Sequence, residues 1–265
     1  MKPKEAFDAT MKRVDCMLNL YEALYNTRRR NMRKDWGENF KKFMRWPAKE
    51  KIYRIDGKDA LLILRERSAL RKDQFRHEEL AELLRAALVR SVSALDRYCH
   101  DVLISRVIAQ TDLASVNWPS ELKKVAVPLA KAKEALNHAK KRYGKGGRKR
   151  TRPMNIIKQA LDEKFHQELT LQSPAEIAQA LSMIGVKGLW GNCAKGMNAR
   201  AEDIKKRLNG IVARRNKIVH EGDIKRFKKG RRIVFNDHAI GPIRDDVSWL
   251  YQLVEVIDKL MSRRS

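Results

Sequence analysis

Leu80-Ala81-Glu82-Leu83-Leu84-Arg85-Ala86-Ala87-Leu88-Val89-Arg90-Ser91-Val92-Ser93-Ala94-Leu95 decides the class of this chain. Leu80, Leu84, Ala87, Leu88, Ser91, Leu95, Tyr98 and Val102 recur with the 3.6-residue period of a helix and form a single stripe. The pattern predicts one long helix over about Arg76 to Gln110, with that stripe facing a core.

Most of the remaining chain carries the same period. Val14, Met17, Leu18, Tyr21, Leu24 and Tyr25 predict a first helix over roughly Lys4 to Lys34, ending in the cations Arg28-Arg29-Arg30 and Arg33-Lys34. Residues 36–60 read as irregular, because Trp36-Gly37, Trp46-Pro47 and Asp56-Gly57 punctuate them. Ile52-Tyr53-Arg54-Ile55 and Leu61 to Leu64 predict a short hairpin around Asp56-Gly57, though the second run also fits the start of a helix. Ser120 to Arg142 reads as helical with a bend at Pro128. Residues 140–153 hold three glycines and eight cations and predict an exposed, mobile loop.

Shorter helices are expected around Met154–Thr170 and Pro174–Ile184, the latter capped by Ser173 ahead of Pro174. A glycine-punctuated link follows over Gly185 to Gly196, carrying Trp190. A helix over Asn198 to Glu221 stops at Gly222, a basic segment with a small hairpin fills 223–241, and a last helix runs from about Pro242 to Met261. The fold class is all-α, with a basic loop insertion and one or two short β-hairpins. It is a single domain over 1–265 in which 36–70 forms an irregular insertion.

The 265 residues contain 58 Lys and Arg against 32 Asp and Glu, a formal net charge of +26. A folded chain with that excess repels itself unless a polyanion is near, and nucleic acid is the leading partner. No apolar run approaches a membrane span and the start lacks a signal-peptide core, so no membrane partner and a cytoplasmic location are expected. Cys16, Cys99 and Cys193 are scattered, with neither zinc spacing nor a disulfide framework. His77, His100, His138, His166 and His238 show no metal-type spacing, so no metal or cofactor is expected. No Gly-rich loop followed by Lys-Ser/Thr is present, which argues against an NTPase.

The chemistry gathers in Arg214-Arg215-Asn216-Lys217-Ile218-Val219-His220-Glu221-Gly222-Asp223. On a helical wheel Ile204, Leu208, Ile211, Val212 and Val219 share a face, and Arg215 falls in the middle of it. A cation there is costly unless paired. It either bridges an acid, for which Asp96 on the long helix is available, or faces an anion. Asn216 and His220 lie one turn apart on the flank. A permanent cation, an amide and an imidazole are the groups that grip a phosphodiester and move its protons.

Arg-Asn-x-x-Val-His-Glu-Gly-Asp resembles the HEPN superfamily of helical ribonucleases, whose hallmark is Arg, four to six residues, then His, with a polar residue directly after the Arg. The subgroup it most resembles is RiboL-PSP-HEPN. Val14-Asp15-x-x-Leu18-x-Leu20-Tyr21-Glu22-Ala23-Leu24 and the Leu84–Asp101 stretch agree with it. The resemblance implies a helical bundle that often dimerises across the Arg/His helices, and metal-independent RNA cleavage. Carried over, it implies that His220 acts as general base or acid, Arg215 holds the phosphate, and Asn216 orients His220 or binds phosphate. The expected ends are a 2′,3′-cyclic phosphate and a 5′-hydroxyl. As in many relatives, the expected setting is a defence or toxin effector held in check by a neutralising or regulatory protein partner. The alternative is a non-catalytic RNA- or DNA-binding module, or an adaptor subunit.

Asp96 and His100 are supporting candidates near this cleft. Arg148, Lys149, Arg150 and Arg152 in one basic run, and Lys225, Arg226, Lys228, Lys229, Arg231 and Arg232 in the other, are expected to contact the RNA backbone, with Tyr143 and Phe227 available to stack on bases. Trp36, Trp46, Trp118, Trp190 and Trp249 read as core or interface residues.

Overall fold

The computed structural model describes residues 2–25, 28–29, 33–56, 60–70, 72–109, 133, 137, 153–225 and 234–262. The described helices are α1 (Pro3–Leu24), α2 (Lys34–Phe43), α3 (His77–Ala109), α4 (Pro153–Glu168), α5 (Pro174–Met183), α6 (Leu189–Met197), α7 (Ala201–Glu221) and α8 (Ile240–Ser262). The strands β1 (Arg28–Arg29), β2 (Ile52–Asp56) and β3 (Leu61–Arg65) form one antiparallel sheet in the order β1-β2-β3. Among the described residues the chain is therefore all-α apart from this small sheet and one isolated bridge between Ile224 and Phe235. The segment expected over Ser120–Arg142 and the basic run 140–153 fall almost wholly outside the described residues, as do Trp118, His138 and Tyr143.

The long helix falls where its period placed it, and all eight stripe residues are buried. Three other elements differ from the sequence reading. The first helix ends at Leu24, not near Lys34: its apolar face runs out there, and Arg28 and Arg29 pair instead with Asp56 and Ile55 of β2. The punctuated stretch after Arg33 holds helix α2, because Trp36, Phe40 and Phe43 fall at helical spacing and outweigh Gly37. The glycine-punctuated link holds helix α6, and its Gly196 serves packing: a Cβ there would lie 2.6 Å from Val256 Cγ1. Left-handed Asn198 (φ 50°) closes α6.

Two compact units make up the chain, and α1, α3, α7 and α8 each give one end to each. The first comprises 1–11, 91–214 and 249–265. Its core gathers Leu95, Leu103, Ile177, Leu181, Leu208 and Leu253. Tyr98 meets Phe7 edge-on at 5.9 Å and donates its hydroxyl to Asp258 at 3.0 Å. The entry to α5 is fixed by a capping box, in which Glu176 N–H donates to Ser173 Oγ and Ser173 N–H donates to the Glu176 carboxylate. Trp190 is buried and donates to the Pro174 carbonyl at 3.0 Å.

The second unit comprises 12–90 and 215–248. Val14, Leu18, Tyr21, Leu84, Leu88 and Ile243 fill its core. The Tyr21 hydroxyl meets His77 Nδ1 at 2.7 Å, and His77 Nε2 meets Asp237 at 2.8 Å. Together these bonds pin the first turn of α3.

Candidate functional site

Helix α7 carries the motif into the second unit, the division falling between Arg214 and Arg215. Ile204, Leu208 and Ile211 are buried, Val212 is half-buried, and Val219 is exposed. The apolar stripe therefore leaves the core as it reaches the motif. Arg215 and Asn216 sit half-buried at that exit, and His220 is exposed one turn further on.

Arg215 Nη1 donates to the Asn216 amide oxygen at 2.9 Å, while the buried Arg215 Nε has no hydrogen-bond partner among the described residues. The guanidinium is thus turned by its neighbour and keeps an unused donor. Asp96 belongs to the first unit, where its carboxylate accepts from the Leu171 amide at 2.7 Å and from Gln172 at 3.4 Å. His100 Nε2 is 3.6 Å from that carboxylate, and the His100 ring packs on His166 with centroids 4.1 Å apart. His100 is fully buried, and neither ring nitrogen has a hydrogen-bond partner among the described residues. Burial, and then the neighbouring His166, push its pKa below the ordinary histidine value.

The residues just after His220 are held firmly. Gly222 and Asp223 both take positive φ (61° and 56°), and Asp223 N–H donates back to the Lys217 carbonyl at 3.1 Å. An Asp in that conformation persists when its surroundings fix it. Here the Asp223 carboxylate, only 2% exposed, accepts from Arg85 Nε at 2.7 Å and Asn236 Nδ2 at 2.9 Å, and meets His238 Nε2 at 2.5 Å. Burial alone would raise its pKa; the bonds from Arg85, Asn236 and His238 outweigh that and hold it below the usual carboxylate range. Arg85 also donates to Glu82 and to the Asn236 carbonyl, both at 2.8 Å.

This anchor ties the end of the motif helix to α3, and sequence reasoning assigned it no role. Its signals were present: Arg85 follows a core leucine on the long helix, and Asp223 closes the motif. What was missing is that the two residues meet across 138 positions of sequence.

Beside the anchor, a cleft of about 570 Å³ is lined by residues including His77, Glu82, Arg85, Lys225 and Phe235. Lys225 is exposed, and its amide donates to the Val234 carbonyl at 2.7 Å. The other expected backbone contacts, Arg148, Lys149, Arg150, Arg152, Arg226, Lys228, Lys229, Arg231 and Arg232, lie outside the described residues, as does Phe227. Among the described residues no group of three or more His, Cys, Asp or Glu side chains is arranged to hold a metal ion. Nor is any described helix long and apolar enough to cross a membrane.

Residues 58–262 match the model of a known protein family, described as RiboL-PSP-HEPN. Searches of curated proteins and of solved structures gave no match.

Proposed function

The chain belongs to the RiboL-PSP-HEPN family, and on that premise we propose that it is a metal-independent endoribonuclease. The observation that carries this reading is the motif itself on α7. A half-buried guanidinium bonded to Asn216 stands little more than one turn before an exposed imidazole on the same helix.

In the proposed reaction His220 takes the proton of a ribose 2′-hydroxyl, or returns one to the leaving 5′-oxygen. Arg215 binds the scissile phosphate and offsets the charge that builds on its oxygens. Asn216 fixes the guanidinium through its amide oxygen and leaves its NH₂ to reach the phosphate or His220. The 2′-oxygen bonds to phosphorus as the 5′-oxygen leaves, giving a 2′,3′-cyclic phosphate and a 5′-hydroxyl. DNA, without the nucleophile, resists. Asp96 acts at a remove, by holding the link after α4, and His100 by packing on His166 of α4. The working unit is a homodimer, and a neutralising or regulatory partner restrains a defence or toxin activity.

The decisive experiment is cleavage of labelled RNA in EDTA by the wild type and by His220→Ala, with end-group analysis of the products. Cyclic phosphate ends from the wild type and none from the variant are expected. Equal cleavage by both would remove His220 from the chemistry. Tight RNA binding with no cleavage of diverse RNAs would favour a non-catalytic binding module. Light scattering at assay concentration tests the dimer; an active monomer would contradict it.

A further inference from the structure

We propose that α2 together with the β2–β3 hairpin forms a stacking platform for single-stranded RNA, separate from the Arg215–His220 motif. The proposal rests on RNA as the substrate class but not on cleavage.

Most of this segment precedes the family match, which begins at residue 58. Its composition is unusual for a surface. Two of the five tryptophans, two of the seven phenylalanines and one of the six tyrosines fall within residues 36–53. Trp36, Phe40 and Trp46 build a connected set, Phe43 follows Trp36 and Phe40 at helical spacing, and Tyr53 lies on the opposite face of β2 from Arg54. Trp36 stacks on Phe40 with centroids 5.1 Å apart and planes 12° apart, and Phe40 meets Trp46 edge-on at 5.6 Å. Arg54 lies over the Trp36 ring at 5.8 Å and Arg65 over Trp46 at 5.0 Å. Asp56 holds Arg54 at 2.6 Å and Glu50 holds Arg65 at 2.7 Å, so both guanidinium planes are fixed.

Despite this packing Trp36 keeps 38% of its surface open and the neighbouring Phe43 83%, while Phe40 and Trp46 are half-buried. Lys42, Arg45, Lys49 and Lys51, all exposed, interleave with them.

Aromatic faces and guanidinium planes set among cations are the elements that bind a single strand: bases stack on the rings while the cations follow the phosphates. A protein partner fits less well, because interface centres are poor in Lys. An anionic membrane also fits less well. Lipid-binding helices present a broad apolar face, whereas here Trp36 is engaged with Phe40 and Arg54. At the end of α2 Phe43 and Met44 project, between Lys42 and Arg45.

The test uses the full chain and a fluorescein-labelled 2′-O-methyl strand of about 12 nucleotides, which cannot be cleaved through a 2′-hydroxyl. Anisotropy titrations should show Phe43→Ala weakening binding about 5- to 20-fold, with Phe43→Trp restoring it, Tyr53→Ala on the opposite face of β2 leaving it unchanged, and thermal melts unchanged. Polyphosphate, which has no bases, should bind all variants alike. Unchanged strand affinity in Phe43→Ala, or an equal loss in Tyr53→Ala, would overturn the proposal. So would an equal loss of polyphosphate binding, or loss of binding to phosphatidylserine vesicles alone. A protein that binds the strand in this ring-dependent way yet cleaves no RNA would sink the cleavage reading and leave the platform standing.

Discussion

Three positions separate His220 from Asp223, and their surroundings are opposite. His220 stands exposed in the last turn of α7. Asp223 is buried, carries positive φ, and is gripped by Arg85, Asn236 and His238. The contrast shows how a site can be accessible and still well placed. On the proposed reading a side chain that meets a flexible polymer is exposed, and its position is set by fixing the backbone just beyond it. The Asp223 anchor does this by tying the helix end to α3.

If that division of labour is right, substitutions on the two sides should separate activity from stability. The largest effect expected is on chemistry. His220→Ala lowers RNA cleavage by about 100- to 10,000-fold, with stability changed by no more than about 0.5 kcal/mol; initial rates and a urea titration give both numbers. Arg85→Met comes next. It leaves the Asp223 carboxylate buried without its cation and costs about 3–5 kcal/mol in stability, read from the midpoint of denaturant unfolding. A cost below about 1 kcal/mol would mean that the anchor does not fix the helix end.

Asn216→Ala should sit between the two regimes. It removes the acceptor that turns Arg215, and lowers cleavage about tenfold at a stability cost of about 1 kcal/mol. A stability loss as large as that of Arg85→Met would move Asn216 to the structural side of the comparison.

The smallest effect extends the comparison to a third residue, the buried His100. Its folded pKa lies below 6.5, so the unfolded chain binds the proton first as pH falls. Its contribution to stability is therefore complete above about pH 6.5 and declines below it. Asp223, also lowered in the folded state, keeps its contribution until pH drops below about 3.8. Unfolding measured across this range should show two separate declines. His100→Phe should flatten the first and leave the second; a first decline that survives the substitution would assign it to another group.

What could be read from the sequence follows the range of the forces involved. The stripe on α3 was legible because helical period and burial act over a few residues, and Gly222 was legible as a stop for the same reason. Helix α2 was not, because Trp36-Gly37 looks like punctuation until Phe40 and Trp46 are seen closing around it. Helix α6 was hidden for a tertiary reason: Gly196 admits Val256, which lies sixty positions on. At the site, Arg215, Asn216 and His220 could be picked out because one helix carries all three. Their anchor could not, since Arg85 and Asp223 come together only in the folded chain.

The three cysteines give the molecule a built-in position for a probe. Cys99 and Cys193 are buried, and burial pushes both thiols away from reactivity, Cys193 up to about 11 and Cys99 further. Cys16 lies exposed on α1, within the same unit as the motif. A maleimide dye at neutral pH should therefore label one site in the native chain without any substitution. Its colour or polarisation can then follow that unit as RNA is added.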